Sequence, residues 1–366
     1  MQAAGMTIPW WTTDIGECEL DAVVQAFKSR RFTTGPIVAE LESSIARRFD
    51  VPYVVATNSG TSALTMALLA LEVGKGDEVI VPALTWVATA QAAALLGAKV
   101  VLADCLSDVP VIDPEDVKRK VSNKTKAIIP VHLNGRACDL DRLREIARNC
   151  GAKLIEDACK AMASRTADGY LGTLGDMGCF SMGMISLASV GYGGFIVTRD
   201  REIYETLKLI RDHGVQRKPE AYKFLGSNFK ISDLLAAIGV VQIARLDERV
   251  TRVQAIYERY SSGLASLPSI RVLNVDIATG KVPIYTELRS GDRDRIVAKL
   301  AERGVQTSKF HSALTSAPYL GEQGVLGNAE AFARESFIAP SGPSQPLTNV
   351  DACIEHIHSI VSQREC

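Results

Sequence analysis

Residues 53–64 read Tyr53-Val-Val-Ala-Thr57-Asn-Ser-Gly60-Thr-Ser-Ala-Leu64. A short β-branched run ends in a tight polar turn with one glycine, and a helical pattern starts at once. Strand, glycine turn and helix in that order are the opening of a parallel α/β unit. The first N–H groups of such a helix lack internal partners and carry positive potential. Small residues at Gly60, Thr61 and Ser62 leave room for a phosphate there. An ordinary helix cap has the same appearance, so the turn alone decides nothing about a ligand.

The alternation continues along the chain. Strands are expected at Tyr53–Thr57, Glu78–Val81, Lys99–Asp104, Ala127–Val131, Lys153–Glu156, Gly178–Met182 and Gly194–Thr198. Most are apolar on both faces, as in a sheet covered by helices on either side. Helices are expected at Ser62–Leu71, Thr85–Leu96 and Asp139–Cys150, the last with Asp139 as N-cap and Gly151 as its stop. One long helix is expected over Ser232–Leu264, followed by a strand at Val282–Leu288 and helices at Asp292–Arg303 and Val350–Ser362. The Pro340–Pro346 stretch is the nearest thing to a linker. Two units are expected: a large α/β domain over 1–245, including the N-terminal segment, and a small α+β domain over 246–366.

The 366 residues are 47% hydrophobic and 23% charged, with net charge −1. That composition excludes a disordered or fibrous chain. It also lacks the basic field of a nucleic-acid binder. The most apolar stretch, Ala83–Ala103, is interrupted by Thr85, Thr89, Gln91 and Lys99, so no bilayer span is expected. The N-terminus does not read as a signal peptide. The eight cysteines contain no CxxC pair. They read as reduced thiols of a cytoplasmic protein, with Cys159 and Cys179 in buried strand. No metal site is expected.

Two further segments carry chemistry. Lys153-Leu-Ile-Glu-Asp157 is an apolar strand ending in two acids, and ligands of open α/β sheets bind at strand carboxyl ends. Asp157 there would hold a protonated ring nitrogen or cap a helix. The glycines from Gly169 to Gly194 read as close backbone approach to a ligand or another subunit.

These pieces, in this order, resemble the DegT/DnrJ/EryC1/StrS family of sugar aminotransferases, of the fold-type-I pyridoxal-phosphate class. The resemblance runs through Thr34-Gly35-Pro36, Gly76–Trp86, Lys124–His132, Ile155–Ala158, Gly175–Ser181, Asp212-His-Gly214, Asn228, Ser232-Asp233 and Ala236–Gly239, and thins after about residue 270. It implies a mainly parallel seven-stranded sheet between helices, plus a smaller C-terminal α+β domain. At matching positions it implies that Gly60, Thr61, Ser62 and Ser181 hold a cofactor phosphate. Trp86 would stack on the pyridine ring, and Asp157 would pair with its nitrogen. Asn228 would reach the neighbouring subunit's site, so a homodimer with shared active sites is implied. The substrate class implied is a nucleotide-linked keto sugar or a cyclitol; Arg211, His213, Lys230 and His311 read equally as contacts to its diphosphate or sugar and as structural salt-bridge or loop residues.

The chain departs from this pattern at one decisive place. The family's Schiff-base lysine stands five residues after the Phe-Ser serine, and Ser186 occupies that position. No lysine occurs between residues 161 and 207. A serine hydroxyl forms no imine and is a poor general base. Lys160 stands where the family commonly has Gln or His, Tyr192 where it has Glu, and Lys230 where it has Arg. Ile185 departs too.

Four readings follow. The favoured one is an enzyme that holds pyridoxal or pyridoxamine phosphate non-covalently and runs altered, dehydratase-like chemistry. In a second, Lys160 takes over the imine or the proton transfer. In a third, the chain is a non-catalytic scaffold, or a heterodimer partner of an active paralogue. In the last, Ser186 is a trapping substitution in an ordinary aminotransferase.

Overall fold

The computed structural model describes residues 7–30, 32–217 and 219–362. Its centre is a seven-stranded sheet. From one edge to the other the strands are Tyr53–Thr57, Gly194–Thr198, Met177–Ser181, Lys153–Asp157, Thr125–Ile128, Glu78–Pro82 and Lys99–Ala103. Gly194–Thr198 runs antiparallel to both its neighbours, and every other pairing is parallel. Tyr53–Thr57 therefore points the same way as the five parallel strands. Six carboxyl ends share one edge of the sheet.

Each of the seven expected strands is present to within a few residues. Their two-sided apolar character has a direct cause. Val79 and Val81 enter one buried cluster with Leu64, Ala127 and Ile155. Ile80 enters another, on the opposite face, with Ile128, Leu143 and Leu154. Helix Leu140–Cys150 covers the second face. The Asp139 carboxylate caps it by accepting from Arg142 N (3.0 Å), and Gly151 ends it at φ 74°.

Four expectations need correction. The long helix is two helices, Asp233–Ala244 and Leu246–Gly263, broken at Arg245. The break lies where Arg249, 1% exposed, turns back to Gln242 O and pairs with Asp14 (2.9 Å) and Glu19 (3.4 Å) of the N-terminal segment. The strand expected over Val282–Leu288 is only Glu287–Arg289. Upstream of it, Val282 N donates to Ser164 Oγ and Ile284 N to Asn134 Oδ1, so no ladder forms there. The Pro340–Pro346 stretch is no linker: Ser341 exchanges backbone hydrogen bonds with Trp10 and Thr12, and Gln345 is buried. Finally, the glycines near 178 serve internal packing. A Cβ on Gly178 would lie 1.7 Å from the Gly172 carbonyl oxygen.

A second, four-stranded antiparallel sheet orders Arg271–Val272, Glu287–Arg289, Ser336–Ile338 and Ser308–Lys309. It packs with helices Leu246–Gly263, Arg293–Glu302 and Leu347–Ser362 around Tyr260, Leu288, Leu300, Phe337 and Ile357. Among the described residues all seven cysteines are free. Cys366 lies outside them. Cys179 is in a strand, as expected, whereas Cys159 sits just past the end of one. Among the described residues no helix is long and apolar enough to cross a membrane.

The two acids ending Lys153–Asp157 face opposite sides of the sheet. Glu156 is fully buried and accepts from His132 Nε2 (2.7 Å) and the N–H groups of Gly172, Leu174 and Gly175. Burial opposes its charge, but His132 and these N–H groups outweigh it and hold the carboxyl below its usual range. Burial likewise opposes charge on His132, yet Cys138 and Glu156 raise it to about 10. Glu156→Gln should lower the thermal midpoint at neutral pH by about 5–10 °C, since a broken buried pair costs about 3–5 kcal/mol. The carboxylate's contribution is lost as pH falls through its depressed value. That of His132 is lost as pH rises through about 10. Thermal melts across pH should therefore show the widest gap from the parent chain near neutrality. A gap that is flat with pH counts against an ionised pair.

Candidate active site

Three chain segments leave the carboxyl ends of parallel strands and meet at one edge. Thr57 runs into Asn58-Ser-Gly60 and helix Gly60–Ala70. Pro82 runs into Ala83–Trp86, and Asp157 into Ala158–Lys160. Ser181 closes the group from the next strand.

Ser59 caps the helix by accepting from Ser62 N (3.0 Å), and its hydroxyl lies 2.9 Å from Ser62 Oγ. Gly60 sits tightly against the sheet. A Cβ there would come within 2.9 Å of both Cys159 Sγ and Ser181 Cβ. Thr61 is exposed and Ser62 half-buried at the helix mouth. Ser181 Oγ accepts from Gly183 N (3.1 Å). The cradle residues are thus brought together, with small side chains and a hydroxyl around a helix N-terminus.

Asp157 is 4% exposed. One carboxylate oxygen accepts from Thr89 Oγ1 (2.8 Å) and the other from Cys159 N (3.1 Å). Among the described residues no lysine, arginine or histidine forms an ion pair with it. This buried acid is oriented by neutral donors, and the nearby Lys160 ammonium forms no ion pair with it, unlike Glu156 with its histidine. Thr89 was not singled out from the sequence. The available signal was its four-residue spacing from Thr85, whose hydroxyl lies 3.2 Å away just ahead of the alanine-rich helix Ala88–Leu95.

Trp86 is 63% exposed, and among the described residues its only ring neighbour is His311, with centroids 6.3 Å apart. His311 arrives from far along the chain because Leu314 N donates to Ala83 O and Ala313 bridges Leu84. Its Nε2 is buried without a partner. Burial first, and then the nearby Lys160 charge, push its pKa down to about 4, so the ring is neutral at physiological pH.

Ser186 is 1% exposed, between the half-buried Ile185 and the buried Leu187, and its hydroxyl has no hydrogen-bond partner among the described residues. Lys160, by contrast, extends from the Asp157 strand end and donates to the carbonyl of Ile185, next to Ser186. Burial pushes its pKa down to about 8. The remaining sequence candidates fall elsewhere. Arg211 is tied to Glu42 (2.5 Å) and Ala56 O, and Lys230 pairs with Asp212. His213 is exposed with φ 61°, and Tyr192 is exposed. Asn228 is exposed beside the cradle, where its carbonyl accepts from Asn58 Nδ2 (3.3 Å). It lines a groove of about 800 Å³ with Thr33, Asp212 and Lys230. Among the described residues no cluster of His, Cys, Asp and Glu could hold a metal ion.

The fold, with this edge, is that of the pyridoxal-phosphate-dependent aminotransferases. A family model described as the DegT/DnrJ/EryC1/StrS aminotransferase family matches residues 13–358, and the chain belongs to that family. It is 34% identical over 345 residues to the dTDP-3-amino-3,4,6-trideoxy-alpha-D-glucose transaminase of Streptomyces venezuelae, covering 91% of this chain and 90% of that one. The aminotransferase TlmJ of Streptoalloteichus hindustanus superposes with TM-score 0.94 at 29% identity, over 98% of this chain and all (100%) of that one. The Streptococcus pneumoniae protein Spr1654, in its PMP form, superposes with TM-score 0.92 at 26% identity, over 98% of each.

Thr89→Val removes one of the two donors to Asp157. It should cost about 1.5–3 kcal/mol, as for a hydrogen bond to a charged group. A thermal melt at neutral pH checks this, and an unchanged midpoint would remove Thr89 from the account.

Proposed function

We propose that this chain binds pyridoxal or pyridoxamine 5′-phosphate and acts on a nucleotide-linked keto sugar or cyclitol, by chemistry other than ordinary transamination. The reading rests above all on Asp157. A charged carboxylate is costly to bury unless a cation or several donors meet it. Here two donors orient it, and among the described residues no cation is paired with it. A protonated pyridine nitrogen supplies the missing charge.

The other residues fit the same group. Gly60, Thr61 and Ser62 offer helix N–H groups and hydroxyls to a phosphate, with Ser181 Oγ across the cradle. Trp86 presents an exposed flat face for a ring. When bound, the cofactor supplies an electron sink next to the substrate's amino or keto carbon. Asp157 keeps the ring nitrogen protonated. Trp86 limits the ring's tilt, and the cradle fixes its distance from the sheet. His311 stays neutral, so its unpartnered Nε2 accepts or donates a proton-bearing contact without adding charge.

Ser186 carries no part of this. Its hydroxyl is buried and has no hydrogen-bond partner among the described residues. The pyridoxamine form is therefore held by side chains and backbone alone. The chain acts in the cytoplasm as a homodimer, with the exposed Asn228 reaching the partner's cradle. The break near residue 245 divides the cofactor-binding domain from a smaller domain that shapes the substrate pocket.

Binding is tested by ultraviolet–visible titration with pyridoxamine phosphate, with sedimentation to give the oligomeric state. Asp157→Asn should weaken binding about 10- to 100-fold, the loss of one charge-assisted contact. Unchanged affinity would remove the carboxylate from the ring site. Ser186→Lys should not create glutamate-dependent amination of nucleotide-linked keto sugars. A gain of that activity would mean an ordinary aminotransferase with its lysine replaced.

A further inference from the structure

The side chain of Lys160 is the site's unusual amine. It leaves the strand end three residues after Asp157 and crosses to the loop between strands Met177–Ser181 and Gly194–Thr198. There its ammonium donates to the carbonyl of Ile185. That contact places the nitrogen at the backbone of the residue preceding Ser186. Among the described residues no carboxylate forms an ion pair with Lys160, unlike Lys99, Lys153 and Lys230.

The groups facing Lys160 give its charge little support. Asp157 lies nearby and favours the charged form, but its carboxylate is engaged by Thr89 and Cys159 N. Burial raises the Cys159 thiol well above its ordinary pKa, so it is neutral and offers no countercharge. His311 is neutral as well. A dense surround without a paired anion favours the uncharged amine, and the pKa falls to about 8. At pH 7 roughly a tenth of the side chains then carry a free electron pair, against well under a thousandth for an exposed lysine. Half-buried and near the oriented acid, the amine is a nucleophile toward carbonyl carbon in that neutral fraction.

We propose that Lys160 supplies the pocket's carbonyl-reactive amine, condensing with the aldehyde of pyridoxal phosphate from a different point of the chain than position 186. This rests on the proposed pyridine-phosphate site and concerns the aldehyde form; the pyridoxamine form has no aldehyde and stays non-covalent. In the step, the Lys160 nitrogen attacks the aldehyde carbon and a C–N bond forms. The carbonyl oxygen leaves as water after taking up two protons, one from the amine nitrogen and one from solvent. Loss of the second amine proton returns the balance. In this step the Lys160 nitrogen gives up its contact with the Ile185 carbonyl.

The test uses the full-length protein, pyridoxal phosphate and borohydride, which delivers hydride to an imine carbon and leaves a secondary amine that survives proteolysis. Peptide mapping should find the label on the peptide carrying Lys160. Labelling should rise with pH, half-maximal near pH 8. It should vanish in Lys160→Gln and persist in Ser186→Ala. If Lys160→Gln does not fold, the map and pH profile of the parent chain decide alone. Tight pyridoxal phosphate binding by absorbance with Lys160 unmodified, or a label confined to another lysine, overturns this inference and leaves the proposed site standing. Absence of binding by either cofactor form overturns both.

Discussion

A buried carboxylate without a paired cation, at the end of the central strand Lys153–Asp157, is the constraint around which this site is arranged. Burying a charge is tolerable only with compensation. Its neighbour Glu156 shows what full compensation looks like: a buried histidine and three backbone N–H groups. Asp157 has two neutral donors and an open claim on a cation. Thr89, Cys159 N and the parallel strand beside it all fix where that claim points. The exposed Trp86 and the Gly60 cradle stand around the same strand edge.

The sheet topology turns one acid into a site. Because only Gly194–Thr198 runs against the others, six carboxyl ends collect on one edge. Short segments leaving those ends carry Gly60, Trp86, Asp157 and Ser181 without any long excursion. The N-terminal segment adds rigidity from behind. Trp11 Nε1 donates to Met184 O (3.0 Å), which holds the loop that carries Ile185 and Ser186. The site is thus clamped between the large sheet and a segment distant in sequence.

Much of this was legible in the chain itself. Strands buried on both faces announce themselves by unbroken apolar runs, and Asp139 and Gly151 mark a helix at both ends. The cradle and Asp157 were readable because they follow strands directly. What escaped reading depends on partners remote in sequence. The helix break at Arg245 follows from Arg249 meeting Asp14 and Glu19, more than two hundred residues earlier. Val282–Thr286 fails as a strand because Ser164 and Asn134 take its donors. His311 reaches Trp86 only through the pairing of Ala313 with Leu84. That position 186 falls where the resemblance implies a lysine was plain from spacing. That the Lys160 amine crosses to the same loop was not, since spacing gives no side-chain direction.

The central claim is that the open charge on Asp157 belongs to a pyridine ring. A crystal structure of the chain grown with pyridoxamine phosphate tests it most directly. The account predicts the ring nitrogen within hydrogen-bond distance of the Asp157 carboxylate, the ring beside Trp86 and the phosphate at the mouth of helix Gly60–Ala70. A filled cavity there, or a ring whose nitrogen faces away from Asp157, would contradict it.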